Sequence, residues 1–252
     1  MAYTNLNPRF ACGARVEEIS RAKAHYRLSI PAGKADAYRL AQLDDYARVS
    51  RGRFPHRFFL TLSLFARTSS ASLPGTWGFG LWNDPFGLSF GFGGNPFRLP
   101  ALPNAAWFFG ASEENYLSFR DAPANGFLAQ TFRSPKFHPL LMTAGLAFLF
   151  SRRAARKWLA QIIEEDGIRL GVDVTQWHHY RLGWREKRVS FEVDDALVFE
   201  SPVSPHPPLG LVIWIDNQYA AFTPEGKIGF GVLENPEPAW LEVREVEVEE
   251  EK

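Results

Sequence analysis

Hydrophobic and polar residues alternate one by one along several short runs of this chain, and this period constrains its fold more than any other feature. In residues 57–67, RFFLTLSLFAR, the leucines share one side while Thr61 and Ser63 share the other. Successive side chains of a β-strand point to opposite faces, so such runs predict strands with one buried face. Residues 239–250, AWLEVREVEVEE, alternate in the same way and predict a final strand at a solvated sheet edge.

The composition agrees with a mostly-β chain. Aromatic residues reach 15%, and 20 Gly and 18 Pro punctuate the short runs, as in proteins built of many strands and turns. A length of 252 residues with 46% hydrophobic residues suits one large sandwich, so a single domain over residues 1–252 is expected. Lys+Arg and Asp+Glu both total 28, so the chain lacks the basic excess of a nucleic-acid binder.

The first residues of the sequence and its cysteine and histidine content predict where the protein is located and whether it binds a metal. The first residues, MAYTNLNPRFACGARVEE, lack the basic and apolar regions of a signal peptide, and no apolar run is long enough to span a bilayer. A cytoplasmic protein is therefore expected. Cys12 is the only cysteine, and the histidines show no ligand spacing, so neither a metal nor another cofactor is predicted. The oligomeric state is left open.

Residues 138–166, HPLLMTAGLAFLFSRRAARKWLAQIIEED, break the strand pattern with helical spacing. We expect a helical insertion whose apolar stripe contains Trp158 and Ile163, with Arg156 facing elsewhere and Gly167 ending the helix. Pro139 suits a first helical turn, and Ser151 suits the cap of a second helix. Three interpretations stay open: a packed extension or interface, a lid over a ligand-binding face, and contact with a membrane surface.

The second half of the chain resembles a known family. Its segment QWHHYRLGWREKRVSFEVDDALVFES has Trp-His-x-Tyr before a strand that ends in Trp, and a Val-Asp turn after it. The matching residues are Trp177, His178, Tyr180, Trp184, Val193 and Asp194. This order is similar to that in family 16 glycoside hydrolases and other concanavalin A-like jelly rolls. Residues 75–85, GTWGFGLWNDP, look like the aromatic strand that precedes the catalytic strand in that family.

The resemblance implies an all-β, two-sheet jelly-roll sandwich with a concave face, but it does not carry over the hydrolase mechanism. Those hydrolases place Glu-x-Asp-x-(x)-Glu on one strand, and no such triplet occurs here. The strand in the corresponding place, residues 104–112, NAAWFFGAS, has aromatic and small residues instead. The resemblance therefore predicts a non-hydrolytic relative of a glycosidase scaffold.

Residues 209–219, LGLVIWIDNQY, are the strongest site prediction from the residues themselves. The period of two places Trp214, Asp216 and Gln218 on one face, with Asn217 at the margin. In residues 76–84 the same period places Trp82 and Asp84 beside two glycines that would leave an open floor, with Asn83 between them. Trp107 is a further member of this set, although the sequence does not show which face it occupies.

An indole beside carboxylate and amide groups suits a sugar or another amphipathic ring, which predicts a carbohydrate or other small-molecule ligand. The plainer interpretation is that these polar residues only end strands and form turns. A second hypothesis is an enzyme, a hydrolase, lyase or isomerase, that uses Asp84 or Asp216 as acid/base. A third is a module that binds a protein or a membrane surface through the helical insertion.

Overall fold

Two antiparallel seven-stranded sheets form the protein in a computed structural model that describes residues 2–85, 98, 101–135, 152–225 and 227–251. The elements are β1 (Asn7–Ala11), β2 (Arg15–Ser20), β3 (His25–Ile30), β4 (Leu40–Asp44), β5 (Leu60–Thr68), β6 (Thr76–Trp82), β7 (Ala105–Ala111), β8 (Gly126–Arg133), α1 (Arg152–Ile162), β9 (Glu164–Arg169), β10 (His178–Arg185), β11 (Arg188–Val193), β12 (Ala196–Ser201), β13 (Gly210–Asp216), β14 (Gln218–Phe222), β15 (Ile228–Val232) and β16 (Ala239–Glu250). The first sheet has the order β1-β4-β13-β6-β7-β8-β9, the second has β12-β11-β10-β5-β16-β3-β2, and β14 pairs with β15 in a separate hairpin.

The core between the sheets comes from the alternation in the sequence. Leu60, Leu62 and Leu64 of β5 are buried in it, and so are Leu211, Ile213 and Ile215 of β13. The predicted faces of these strands are therefore confirmed, and so is the all-β two-sheet sandwich. Asp194 and Asp195 form the predicted turn between β11 and β12, and both have a positive φ.

A second hydrophobic cluster lies on the other side of the first sheet. We call this side the aromatic face, and it is defined by Trp82, Trp107, Phe109, Phe132 and Trp214. Its existence follows from the same alternation, because Trp214 stands between the inward-facing Ile213 and Ile215 on β13.

The last strand is not at an edge, so that prediction was wrong. Along its first half β16 pairs with both β5 and β3, and Val243 faces Ala66 on one side and Tyr26 on the other. Its second half, beyond a register shift after Arg244, pairs with β5. Alternation predicts which face of a strand is buried, but it says nothing about how many neighbouring strands it has.

The predicted helical insertion lies partly outside the described residues, since its first part, including Pro139 and Ser151, cannot be placed. The described helix α1 ends at Ile162, and Gly167 lies within β9, so the predicted helix end was wrong. Arg156 is also buried instead of facing outward, with its guanidinium donating to the carbonyl oxygens of Ser118 and Phe222 and to Asp121. Among the described residues no helix has the length and apolar character needed to span a bilayer.

The hairpin of β14 and β15 begins and ends at one point. The backbone N–H of Leu233 donates to the carbonyl oxygen of Asn217 at 2.7 Å, and Nδ2 of Asn217 donates to the carbonyl oxygen of Leu233 at 2.8 Å. Asn217 also accepts the backbone N–H of Arg39 at 2.8 Å. The hairpin therefore leaves the sandwich and returns to it at the same residue pair.

Candidate functional site

Three tryptophans from neighbouring strands meet on the aromatic face. Trp214 of β13 and Trp82 of β6 have parallel rings, with an interplanar angle of 4° and centroids 6.2 Å apart. Trp107 of β7 completes the group, 5.6 Å from Trp214 and 6.0 Å from Trp82. Nε1 of Trp107 donates to Oε1 of Gln130 at 3.2 Å, which fixes its orientation. The structure thus brings together the three tryptophans that the sequence singled out.

The two glycines of β6 do not leave an open floor, because neighbouring groups occupy the space that their side chains would need, so that prediction was wrong. A Cβ at Gly78 would lie 2.9 Å from the ring of Trp214 and 2.3 Å from the carbonyl oxygen of Phe108. A Cβ at Gly80 would lie 2.6 Å from Cα and Cβ of Trp107. The space at Gly78 is therefore filled by the carbonyl oxygen of Phe108 and the indole of Trp214, and the space at Gly80 is filled by β7 itself at Trp107.

Most of the aromatic face is covered. Trp214 is 7% exposed and Trp107 is 4% exposed, while Trp82 is only half-buried. Among the described residues, Tyr38, Leu117, Phe119 and Leu159 of α1 pack against the cluster. This contact favours the packed-extension or lid interpretation for the described part of the helical insertion. It leaves Trp82 as the indole most accessible to a ligand.

Asp216 is buried at one end of the aromatic face and is held by four hydrogen bonds. Its Oδ1 accepts from the backbone N–H and hydroxyl of Thr76 and from the backbone N–H of Gln218, at 3.2, 2.8 and 3.1 Å. Its Oδ2 accepts from the hydroxyl of Tyr38 at 3.0 Å. Burial raises the pKa of Asp216 to about 6, although these hydrogen bonds oppose the shift.

Asp216 is linked to the indoles through Thr76, because Nε1 of Trp214 donates to the same threonine hydroxyl at 3.0 Å. Asn217 instead braces the start of the hairpin with a fully buried side chain. The sequence predicted that Gln218 lies on the same strand face as Trp214 and Asp216. That prediction was wrong, because β13 ends at Asp216 and Gln218 is the first residue of β14. Asn217 therefore acts as a turn brace, and Gln218 reaches Asp216 through its backbone.

A second polar group at this face was missed by the sequence reasoning. Gln42 donates through Nε2 to Oδ2 of Asp44 at 2.8 Å and to the hydroxyl of Tyr46 at 3.3 Å. That hydroxyl also accepts Nε1 of Trp82 at 2.6 Å. Burial raises the pKa of Asp44. Residues 40–46, LAQLDDY, carry the signal, since polar side chains recur at alternate positions of a buried strand.

Asp84 and Asn83 hold the chain after β6 in place. Asp84 has a positive φ of 48° and forms a buried ion pair with Nη1 of Arg98 at 2.6 Å. Asn83 donates to the carbonyl oxygen of Leu102 at 2.9 Å and accepts the backbone N–H of Asn104 at 3.0 Å. These contacts favour the plainer interpretation of Asn83 and Asp84, in which the two residues end a strand and shape the chain after it.

The strand register places Asp84 and Asp216, the two candidate acid/base residues, at opposite ends of β6. Asp216 pairs with Thr76 at the first residue of β6, whereas Asp84 lies two residues beyond its last. The strand alone spans ~20 Å at ~3.3 Å per residue. Glycosidase carboxyls lie ~5–5.5 Å apart in retaining enzymes and ~6.5–9.5 Å apart in inverting enzymes. The two carboxyls are therefore too far apart to share a reaction.

Asp44 and Asp216 are also too far apart to act together as acid and base. Asp44 faces Val212, four residues from Asp216 on β13, which corresponds to ~13 Å along the strands. Asp44 also accepts backbone N–H groups from Tyr46 and Ala47, beyond its own strand, and Asp216 does the same with Gln218. Because β4 and β13 are antiparallel, these hydrogen bonds draw the two carboxyls apart.

No protein-family model and no curated protein matches this chain. Among the described residues, no group of three or more histidine, cysteine or carboxylate side chains could hold a metal ion.

Solved structures similar to this chain include β-glucanases and their relatives. A glycosyl hydrolase family protein from Mycobacterium fortuitum is 15% identical over 97% of this chain and 91% of its own, with a TM-score of 0.45. The β-glucanase of Bacillus licheniformis is 13% identical over 96% and 92%, also at 0.45. A pseudo β-1,3-glucanase of Mycobacterium tuberculosis is 14% identical over 93% and 80%, at 0.45.

A sialidase also matches, at 8% identity and a TM-score of 0.43, and this chain spans 17% of its length. The glucanases are the kind of protein that the sequence resemblance indicated.

Proposed function

We propose that this protein binds a glycan, or another small molecule with an apolar ring face, at the aromatic face without hydrolysing it. The observation that carries the proposal is the group of three indoles that ends in the half-buried ring of Trp82. An indole binds the apolar face of a sugar ring, and nearby polar groups bind its hydroxyls.

The surroundings of Trp82 fit this role. Its Nε1 donates to the hydroxyl of Tyr46, which is itself held by Gln42, so the ring has one fixed orientation. Trp214 and Trp107 support it from below. A ligand that contacts Trp82 would meet a preformed surface and would not have to order mobile side chains, which favours affinity.

The absence of hydrolysis in this proposal rests on distance. Neither Asp84 nor Asp44 lies where it could act with Asp216 on one glycosidic bond, as the strand register requires. An enzyme that uses Asp216 alone is a second candidate, favoured by a pKa of about 6, since a general acid or base works best near the operating pH. Product formation from a bound ligand, abolished in Asp216→Asn, would favour this second candidate.

The test is a fluorescence titration of the purified protein with a panel of neutral and acidic oligosaccharides. We expect a saturable change with at least one sugar, and a roughly tenfold weaker affinity in Trp82→Leu, which corresponds to ~1.4 kcal/mol. Trp240→Leu is the matched control, because Trp240 is half-buried on β16 of the opposite sheet. Equal affinity in Trp82→Leu, or an equal loss in Trp240→Leu, would contradict the proposal.

A further inference from the structure

The outer side of the second sheet carries an ordered group of arginines and tryptophans. On β16, Trp240 and Arg244 alternate with residues of the core, so their side chains point away from the sandwich. Arg27 of β3 and Arg67 of β5 alternate with core residues in the same way. Trp177, directly before β10, completes the group. We call this surface the arginine–tryptophan face, and it is defined by Arg27, Arg67, Trp177, Trp240 and Arg244.

Rings and guanidinium groups lie against one another along this face. The guanidinium carbon of Arg27 is 4.9 Å from the ring centroid of Trp240, and that of Arg67 is 5.4 Å from it. Arg67 and Arg244 both lie against Trp177, at 4.7 and 4.6 Å. Cations are attracted to the electron-rich face of an aromatic ring. These contacts therefore hold the five side chains in one arrangement.

One buried carboxylate fixes two of the arginines. Oε2 of Glu242 accepts Nη2 of Arg27 at 2.9 Å and Nη2 of Arg67 at 3.2 Å, while Nε2 of His25 lies 2.7 Å from Oε1. Burial tends to raise the pKa of Glu242, but the hydrogen bonds from Arg27, His25 and Arg67 lower it overall. Glu242 therefore stays ionised and keeps both guanidinium groups in place.

Arg244 is positioned by rings instead of hydrogen bonds. Besides Trp177 it lies against Phe65, whose ring centroid is 5.1 Å from its guanidinium carbon. Among the described residues, Glu245 is the one carboxylate within 4 Å, and its Oε1 is 3.8 Å from Nε, which is too long for a hydrogen bond. The terminal N–H groups of Arg244 are therefore oriented, yet no described residue accepts from them.

All three arginines keep hydrogen-bond donors at the surface. The side chains of Arg27, Arg67 and Arg244 are 38%, 33% and 37% exposed, whereas the Nε atom of each is buried. Glu242 accepts from only one terminal nitrogen of Arg27 and of Arg67, so Nη1 of each has no acceptor in the part of the chain that the structure describes. The face thus offers several fixed donors to a ligand.

Exposed carboxylates around the face restrict what can bind there. Glu17 of β2 lies opposite Arg27 in the sheet register, Glu245 follows Arg244, and Glu249 lies further along β16. A long polyanion would meet these like charges as it crossed the sheet. A short segment with a few negative charges can place them at the arginines alone.

We propose that the arginine–tryptophan face binds a short acidic segment of a protein partner, whose Asp or Glu carboxylates accept hydrogen bonds from the three arginines. Guanidinium groups bind carboxylates through charge-assisted, often bidentate, hydrogen bonds. Tryptophan and arginine are enriched among the residues that dominate protein–protein binding, and side chains that are already ordered lose little entropy on binding. This face and the aromatic face lie on different sheets, so neither proposal depends on the other.

NMR titration of the isotope-labelled protein with the peptide hexaglutamate tests this proposal. Hexaglutamine is the uncharged counterpart, and a short single-stranded DNA is a polyanion of another class. We expect hexaglutamate to shift the indole N–H signals of Trp177 and Trp240 in a saturable way, with an affinity that falls as salt is added. Hexaglutamine should cause no such shifts, and the DNA should bind more weakly than hexaglutamate.

Arg244→Gln should weaken hexaglutamate binding about tenfold, because charge-assisted hydrogen bonds are lost. This change should leave the fold intact, since Arg244 has no hydrogen bond to a described residue. Arg244→Glu should abolish binding, because it places a negative charge against the peptide. Arg188→Gln is the matched control, since Arg188 is an exposed arginine on β11 of the same sheet, separated from β16 by two strands.

Four results would overturn the proposal. The first is the absence of saturable shifts with hexaglutamate, and the second is an equal affinity in the parent protein, Arg244→Gln and Arg188→Gln. The third is tighter binding of the DNA than of hexaglutamate, which would make the face a polyanion site. The fourth is a set of shifts confined to the indoles of the aromatic face, which would place the peptide on the other sheet.

Discussion

The carboxyl of Asp216 changes its protonation state within the range of ordinary buffers, because burial raises its pKa from 3.8 to about 6. The folded protein therefore holds this proton more tightly than the unfolded chain does. Stability that depends on Asp216 is fully present below pH ~4 and is lost as pH rises through about 6. A shift of this size corresponds to at most about 3 kcal/mol.

We predict that the stability difference between the parent protein and Asp216→Asn changes with pH in this sense. From pH 4 to 7, the free energy of unfolding of the parent should fall relative to that of the variant. Urea unfolding at several pH values measures the difference. Glu186→Gln, at the exposed turn between β10 and β11, should show no such trend, and parallel curves for the parent and Asp216→Asn would contradict the prediction.

At the scale of the strand, β6 needs glycine at position 78 because its neighbours β13 and β7 leave no room there for a side chain. Gly78 faces Trp214 across one side of the strand and Phe109 across the other. An added methyl group would have to displace both the indole of Trp214 and the carbonyl oxygen of Phe108 in β7. Well-packed positions resist such an addition, at a cost of roughly 1–3 kcal/mol.

Gly78→Ala should therefore lower the free energy of unfolding by roughly 1–3 kcal/mol and alter the tryptophan fluorescence. Denaturant unfolding followed by fluorescence measures both effects. Gly171→Ala is the control, because a Cβ at Gly171 would meet nothing within 4 Å. If the two variants were equally stable and had the same spectrum as the parent, the packing of Trp214 over Gly78 would be disproved.

At the scale of the whole molecule, β16 joins distant parts of the chain. It lies between β5 and β3, and residues near the N-terminus reach it as well, since the backbone N–H of Tyr3 donates to the carbonyl oxygen of Val246 at 2.7 Å. Leu241, Val243 and Val246 are fully buried. Removing this strand would expose the core and leave two strands without their shared neighbour.

We predict that a chain ending at residue 238 does not reach the native fold, whereas one ending at residue 250 does. Circular dichroism and the dispersion of amide NMR signals distinguish the two. We propose that the chain is a single domain, and the full chain should then unfold in one cooperative transition. A folded chain lacking residues 239–252 would show that β16 is dispensable, as an edge strand could be.

The alternation of apolar and polar residues predicted which face of each strand is buried. It did not predict which strands and side chains become neighbours. The faces of β5, β6 and β13 follow from alternation, and so does the shared position of Trp82 and Trp214. Contacts between residues far apart in the chain decide the rest. They place β16 between two strands, fill the space above Gly78 and pair Asp84 with Arg98. Gln42 and Asp44 could have been found, because their strand repeats the pattern seen at Trp214 and Asp216.

The reciprocal hydrogen bonds between Asn217 and Leu233 join the two ends of the β14–β15 hairpin. Ala220 and Phe222 of β14 are also tied to Tyr116 by backbone hydrogen bonds, so the part of the hairpin that can be lengthened without moving β13 or the chain after it lies between residues 222 and 228. The hairpin also lies directly after Asp216, at one end of the aromatic face. The stretch between residues 222 and 228 is therefore a suitable place for grafting, where new recognition could be introduced while the scaffold keeps its register.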